Sequence, residues 1–217
     1  RINSSMAGIY LRQRNFINAF NHFNKSLKVA QKEKNNFYQY ENCKELAKTY
    51  RIQAICNFDS SKLYSKKLIS LADSLNNDRN RVEAWKQMAY LYKGYPFNAF
   101  NLDSALNYCL KALELSEDRS YDDFTIQLLL DLVDIYNPHK IMDTTRQQFI
   151  EKAFPYHMQA VDLALKVQDV NQLRIGLKGI FLAGGPDKEP YTRQIITLKF
   201  EEVLSKALKS KNPELIA

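Results

Sequence analysis

Three basic side chains in the N-terminal quarter of the chain are spaced in a way that could support chemistry. Lys44, Lys48 and Arg51 lie four and three residues apart in a stretch with helical periodicity. Residues at these spacings project from the same side of an α-helix, so the three cations are predicted to form one basic ridge. Such a ridge can attract and hold the carboxylates of an acidic peptide. The chemistry is recognition by charge, and no bond needs to be made or broken.

Side chains that often carry out catalysis or bind metals are present but are not grouped. His22, His139 and His157 lie far apart, and none belongs to an H-E-x-x-H pattern. The segment 183–190, AGGPDKEP, lacks the Lys-Ser/Thr pair of a phosphate-binding loop and is interpreted as a turn between helices. The sequence therefore predicts a protein that is not an enzyme and that uses no metal and no cofactor.

The elements that must position the basic ridge are helices. Apolar residues recur with helical period almost from end to end, and strand-like alternation is nearly absent. In residues 85–116 a first helix, whose apolar face includes Trp85 and Ala89, is followed by a second amphipathic helix. A loop with Gly94 and Pro96 separates the two. These patterns predict an all-α protein.

The pattern of residues 85–116 recurs along the chain. Tyrosines mark the ends of four successive first helices at intervals of 40, 42 and 44 residues. These tyrosines are Tyr10, Tyr50, Tyr92 and Tyr136. The corresponding helix pairs are predicted at about 1–34, 35–76, 78–117 and 120–168, followed by a degenerate fifth pair in 169–217.

This arrangement resembles the tetratricopeptide repeat (TPR) family, whose signature places W-x2-L-G-x2-Y on a first helix and A-x3-F on a second. Trp85, Met88, Ala89 and Tyr92 match the first half of that signature. The match implies that Trp85 takes the position of the family's core tryptophan. The period is longer than the usual length of about 34 residues, and it is similar to that of repeats in bacterial regulatory and sensor proteins. The resemblance implies a right-handed superhelical solenoid of antiparallel helix pairs.

The resemblance also implies a binding surface. In TPR proteins, first-helix residues that are offset from the signature positions line a concave groove. In this register the candidate peptide-binding residues are Lys44, Lys48, Arg51, Lys86, Tyr90 and Lys93. The carboxylate clamp that binds acidic C-terminal peptides is incomplete, because Lys48 stands where its asparagine is expected. An acidic or extended peptide in the groove and a basic face that is only solvated are both open interpretations.

The net charge of +7 lies entirely in residues 1–57, which contain ten basic and three acidic residues. A basic quarter permits nucleic-acid binding, but no helix-turn-helix, zinc or RNA-binding signature supports it. No apolar run of about 18 residues is present, so no membrane span is predicted within the chain. The chain begins at Arg1 inside a helical pattern, and we expect it to be a fragment. A cytoplasmic and a periplasmic location therefore both stay open.

The cysteines do not suggest a disulfide framework. Cys43 and Cys56 are placed on one predicted helix about 20 Å apart, which is too far for a disulfide. Together with Cys109 they are interpreted as small buried apolar residues.

These features favour a non-catalytic protein-protein interaction module that binds a peptide or protein segment in its concave groove. The alternative is a ligand- or partner-sensing input domain of a larger bacterial signalling or transcription regulator, which could be tethered to a membrane. The sequence does not identify the partner or the oligomeric state.

Overall fold

Ten α-helices form the structure, a computed structural model that describes residues 2–52, 55–93, 100–136, 146–183 and 190–210; no strand occurs in these ranges. The helices are α1 (Ile2–Arg12), α2 (Phe16–Lys32), α3 (Asn36–Tyr50), α4 (Phe58–Ser74), α5 (Asp78–Tyr92), α6 (Leu102–Asp118), α7 (Asp122–Ile135), α8 (Arg146–Lys166), α9 (Val170–Ala183) and α10 (Pro190–Ser210). The all-α fold class predicted from the sequence is confirmed. Gly94, Pro96, His139 and most of the predicted turn at 183–190 lie outside the described residues.

Helices that follow one another in the chain pack against each other. The chain divides into two compact units, Arg1–Leu115 and Ser116–Ala217. In the first unit α1 packs on α2, α2 on α3, α3 on α4 and α4 on α5, and the rings of Tyr92 and Tyr108 join α5 to α6. In the second unit α7 packs on α8 and α8 on α9, while α10 contacts both α8 and α9. Among the described residues, no helix has the length and apolar character needed to cross a bilayer.

Asparagine side chains determine where many of these helices begin. Each accepts a hydrogen bond from the backbone N–H three residues further on, and an aspartate does the same before α9. The capping residues are Asn15, Asn35, Asn57, Asn77, Asn101 and Asp169. Such a cap satisfies one of the four N–H groups that a helix leaves unpaired at its start, so it fixes the first turn.

The residue before a cap often has a left-handed backbone. Arg14, Lys34, Asn76 and Gln168 have φ between 48° and 58°, although none of them is glycine. Cys56, with φ of 42°, lies at such a junction before α4 and is exposed. The prediction that Cys56 is buried on the same helix as Cys43 is therefore wrong.

Replacing Lys34 with glycine is expected to raise the free energy of unfolding by about 0.5–1 kcal/mol. Lysine at a φ of 51° carries a left-handed penalty of about 1–2 kcal/mol that glycine lacks, and the greater freedom of glycine in the unfolded chain offsets part of the gain. Urea titration followed by far-UV circular dichroism measures the change. The matched control Lys28→Gly, at an exposed position inside α2, should lose about 0.5–1 kcal/mol. Equal losses in both variants would rule out relief of the left-handed turn.

The four tyrosines that define the repeat share one structural role. Each lies at or near the end of a first helix and stacks its ring on a ring of the following helix, with centroids 5.3–6.2 Å apart. The stacked pairs are Tyr10 with His22, Tyr50 with Tyr64, Tyr92 with Tyr108, and Tyr136 with Tyr156. Such pairs contribute roughly 0.5–1.5 kcal/mol beyond the area that they bury. The intervals of 40, 42 and 44 residues therefore reflect one repeated contact.

Small buried residues recur in the second helices at intervals similar to those between the stacked tyrosines. Two positions, eleven residues apart, are occupied only by alanine or serine in α2, α4, α6 and α8, and all eight residues are buried. They are Ala19 and Ala30, Ser61 and Ala72, Ala105 and Ser116, and Ala153 and Ala164. Small side chains allow neighbouring helices to approach closely, so we expect these positions to lie at helix-helix contacts.

Trp85 is less buried than its sequence position suggests. On α5 the fully buried residues include Ala84, Met88 and Leu91, whereas Trp85 is only half-buried. The prediction that Trp85 lies in the core is therefore only partly confirmed.

Candidate peptide-binding surface

The structure places the candidate residues on two helices that contact each other, α3 and α5. Equivalent positions on the two helices are 42 residues apart, so the six residues form three matched pairs. The pairs are Lys44 and Lys86, Lys48 and Tyr90, and Arg51 and Lys93. Arg51 and Lys93 are the C-terminal caps of α3 and α5. We refer to this set of six residues as the α3–α5 face.

Glutamates on α3 neutralise part of the basic ridge. The Lys44 ammonium lies 2.8 Å from a carboxylate oxygen of Glu41, and the Lys48 ammonium lies 3.5 Å from one of Glu45. In both cases the acid precedes the base by three residues, which is one turn of helix. Pairs of this kind at a solvated surface contribute about 0–1 kcal/mol. The two lysines of the ridge are therefore held in ion pairs.

Glu83 connects the two helices of the face. Its carboxylate lies 3.1 Å from the Lys86 ammonium on its own helix and 3.9 Å from the Lys48 ammonium on α3. It also accepts a hydrogen bond of 2.7 Å from the side-chain amide of Gln87. One carboxylate thus interacts with three polar groups and holds Lys48 near α5.

Gln87 is a member of this network that the sequence reasoning missed. Only 1% of its surface is exposed, yet both ends of its amide are used. The nitrogen donates to Glu83, and the oxygen accepts a hydrogen bond of 2.7 Å from the guanidinium of Arg51. A buried amide satisfied in this way orients its partners. Gln87 therefore fixes the position of the Arg51 side chain on the face.

Two cations lie over the ring of Tyr90. The Arg51 guanidinium is 4.7 Å from the ring centroid, and the Lys93 ammonium is 5.2 Å from it. Cations at these distances are attracted by the negative face of the ring, with about 0.5–1 kcal/mol at exposed sites. Tyr90 therefore gathers positive charge at the C-terminal ends of both helices.

Lys86 differs from the other candidates because it is only 7% exposed. Its ammonium is directed to Glu83, so it orients that carboxylate and does not present an open cation. The α3–α5 face and its glutamates have five cations and three carboxylates, which leaves a positive excess. The cations are Lys44, Lys48, Arg51, Lys86 and Lys93, and the carboxylates are Glu41, Glu45 and Glu83.

A second polar cluster lies on α8 and α10. The buried Lys199 ammonium donates hydrogen bonds to Asp162 and, at 3.0 Å, to Glu202, which also pairs with Lys206. Burial alone would lower the pKa of Lys199, but the hydrogen bonds to Asp162 and Glu202 raise it above its usual value. A neighbouring cleft of about 290 Å³ is lined in part by Asp162, Leu165 and Lys206. Because this lysine stays protonated, it has no role as a base at neutral pH.

Comparisons with known proteins do not assign the chain to a family. No protein-family model matches the sequence, and no curated protein matches it. In the part of the chain that the structure describes, no three His, Cys, Asp or Glu side chains come together in a way that could hold a metal ion. The α3–α5 face, with its hydrogen bonds, ion pairs and cation–ring contacts, is thus the candidate site.

Proposed function

We propose that the chain is a non-catalytic protein-interaction module of the TPR type. In this proposal the helix pairs stack into a right-handed solenoid, and the first helix of each pair faces a concave groove. The packing of consecutive helices supports it. The repeated tyrosine stacking and the repeated small buried residues give further support, because a regular stack needs the same contact in each pair.

The proposed binding site is the α3–α5 face, and the proposed ligand is an acidic or extended peptide. The observation that carries this proposal is the chain of contacts from Arg51 through Gln87 to Glu83 and Lys48, because it joins two first helices in one polar surface. A carboxylate of the peptide would replace Glu83 or Glu45 as the acceptor for Lys48. The positive excess of the face favours such an exchange.

Reversing two charges on this face is expected to weaken peptide binding at least tenfold. The test begins with unbiased selection from a displayed peptide library on the wild-type protein, followed by affinity measurement on synthetic copies of the selected sequences. We expect acidic sequences and a loss of affinity in the variant Lys48→Glu with Arg51→Glu, since both cations become repulsive. The loss should diminish as salt rises above about 0.1 M.

A matched control separates the site from the overall charge. Lys66 and Lys67 are exposed on α4 and are not among the six residues of the face. The variant Lys66→Glu with Lys67→Glu changes the net charge by the same amount and should keep the wild-type affinity. Selection of peptides without acidic residues, or equal losses in the two variants, would contradict the proposed site.

A further inference from the structure

One side of α2 carries a row of lysines. Lys25, Lys28 and Lys32 lie three and four residues apart and are all exposed, so they project into solvent from the same side of the helix. Asn21, four residues before Lys25, continues the row and is exposed as well. The row is about 16 Å long, at 1.5 Å of rise for each residue. We call these four residues the α2 row.

The exposure of this side is a property of the second helices and does not come from a missing neighbour. The repeated small residues Ala19, Ser61 and Ala105 define equivalent positions on α2, α4 and α6. The counterparts of the α2 row are Leu63, Lys67, Ser70 and Ser74 on α4, and Asn107, Lys111, Glu114 and Asp118 on α6. All eight are exposed, although α4 has both α3 and α5 packed against it. This side therefore faces solvent in each of the three helix pairs.

Charge distinguishes α2 from the other two helices. The α2 row has three cations and no carboxylate, whereas the counterpart positions have one cation on α4 and one cation with two carboxylates on α6. Residues 1–32 contain six Lys or Arg and no Asp or Glu. Arg12, at the end of α1, and Arg14, in the turn that follows, are both exposed. Unopposed positive charge is therefore concentrated around this one helix.

The lysines of the α2 row are not neutralised in the described part of the chain. On the α3–α5 face, Lys44, Lys48 and Lys86 each lie 2.8–3.5 Å from a glutamate carboxylate. No carboxylate of the described residues forms such an ion pair with a lysine of the α2 row. An incoming anion at the α2 row thus has no internal carboxylate to displace.

A row of unpaired cations is complementary to a ligand with regularly repeated negative charge. Neighbouring lysines follow one another about every 5 Å along the helix axis, and a nucleic-acid duplex carries one phosphate for about every 1.7 Å of its axis. Several phosphates therefore come within reach of three ammonium groups on flexible four-carbon stems. The amide of Asn21 adds a donor for a phosphate oxygen. The row has no aromatic ring on which an unpaired base could stack, which favours a duplex over a single strand.

The apolar neighbours of the α2 row do not favour a membrane surface as the ligand. A helix that lies in a bilayer interface presents a continuous apolar side beside its cations. The exposed apolar residues of α2 are Ile17 and Val29, which are 76% and 49% exposed. They are twelve residues apart and project about 120° from each other around the helix axis, so they do not form one apolar side.

We propose that the α2 row binds the phosphate backbone of a nucleic-acid duplex without reading its sequence. Contacts to phosphate hold a protein on a duplex and need no motif that recognises bases. The absence of such a motif from the sequence is therefore compatible with this binding. The α2 row shares no residue with the α3–α5 face, so the inference does not depend on the peptide-binding function proposed above.

The salt dependence of binding counts the lysines that contact phosphate. The affinity of the complete chain for a labelled DNA duplex of about 20 base pairs and mixed sequence is measured by fluorescence anisotropy between about 0.05 and 0.2 M salt. Each phosphate contact contributes about 0.9 to the slope of log affinity against log salt. The variant Lys25→Gln with Lys28→Gln and Lys32→Gln should reduce this slope by about 2–3 and weaken binding at least tenfold at the lowest salt.

A matched control removes the same charge from scattered positions. Lys66, Lys111 and Lys152 are exposed on α4, α6 and α8. The variant Lys66→Gln with Lys111→Gln and Lys152→Gln should keep the wild-type slope, because these lysines do not form one row. Both triple variants should keep the wild-type circular dichroism spectrum and unfolding midpoint, since all six positions are exposed and glutamine favours a helix as much as lysine does.

Several results would overturn the proposal. No binding of the duplex at about 0.05 M salt would exclude the ligand, and equal reductions of the slope in the two triple variants would exclude the α2 row. Loss of binding only in Lys48→Gln with Arg51→Gln would place the nucleic acid on the α3–α5 face. Tighter binding to a single strand of the same length would exclude the duplex as the preferred ligand. Tighter binding to phosphatidylserine vesicles or to polyglutamate, lost in the α2 variant, would assign the row to a membrane surface or to an acidic protein.

Discussion

Acidification from pH 6.5 to about pH 4 is expected to remove about 3 kcal/mol of stability through one residue, His157 on α8. The imidazole is only 6% exposed. Burial disfavours its charged form and lowers the pKa of His157 from 6.5 to about 4. Its Nδ1 atom has no hydrogen-bond partner among the described residues. The folded protein therefore keeps this histidine neutral well below the pH at which the unfolded chain protonates it.

The direction of the effect follows from proton binding. Between pH 6.5 and 4 the unfolded state has taken up a proton at His157 that the folded state has not, so the free energy of unfolding falls as the pH falls. Above pH 6.5 both states are neutral, and below about pH 4 both are charged. The contribution of this residue is therefore flat outside that window.

Urea titrations of wild type and His157→Leu at a series of pH values measure this contribution. Their difference at each pH removes the effects of all other groups, and it should grow by about 3 kcal/mol in favour of leucine between pH 7.5 and 4. At pH 7.5 the leucine variant should be equal or slightly more stable, since an unpaired buried nitrogen is lost. Tyr156→Phe, which keeps the imidazole, should retain the acid sensitivity. A pH-independent difference between wild type and His157→Leu would disprove the effect.

The helical fold could be predicted from the sequence because its cause is local. Apolar residues with helical period indicate the buried side of each helix, and the equal role of Tyr50, Tyr92 and Tyr136 is visible as near-constant spacing. The ring on which each tyrosine stacks was not predicted, since it lies at a variable distance along the chain and in one case is His22. The right-handed superhelical stacking of the helix pairs remains a prediction.

The junctions between helices could be predicted only in part from the sequence. Asparagines such as Asn35 and Asn77 mark the first turn of a helix by a known preference. The left-handed residues Lys34 and Cys56 gave no such signal, because neither is the glycine or asparagine that this conformation favours. Tertiary packing on both sides of the turn overrides the local preference, which is why the position of Cys56 was predicted wrongly.

The side-chain contacts of the candidate site within one helix could be predicted from the sequence, but those between helices could not. The acids that neutralise the basic ridge precede their partners by three residues, so Glu41 with Lys44 could have been recognised in the sequence. The contacts of Lys48 with Glu83 and of Arg51 with Gln87 join residues about 35 positions apart. They depend on the interval between repeats, which the side-chain types alone do not reveal.

Replacing Gly176 with alanine is expected to lower the free energy of unfolding by about 1–2 kcal/mol, although alanine favours helix formation by about 1 kcal/mol over glycine. The new Cβ would lie 2.7 Å from Cγ2 of Val161 on α8, which is closer than two carbon atoms can approach. Valine is branched at Cβ and has little rotameric freedom in a helix, so it cannot move aside cheaply. The clash therefore outweighs the gain in helix propensity.

A double-mutant cycle with Val161→Ala tests this account. In the Val161→Ala background the obstructing methyl group is absent, so Gly176→Ala should be neutral or stabilising by up to about 1 kcal/mol. Gly8→Ala on α1 is the matched control, because a Cβ there meets no atom within 4 Å and should add about 0.5–1 kcal/mol of stability. If Gly176→Ala costs the same in both backgrounds, the close approach of α8 and α9 is not its cause. The cycle thus measures how tightly α8 is seated on α9, the helix that follows it.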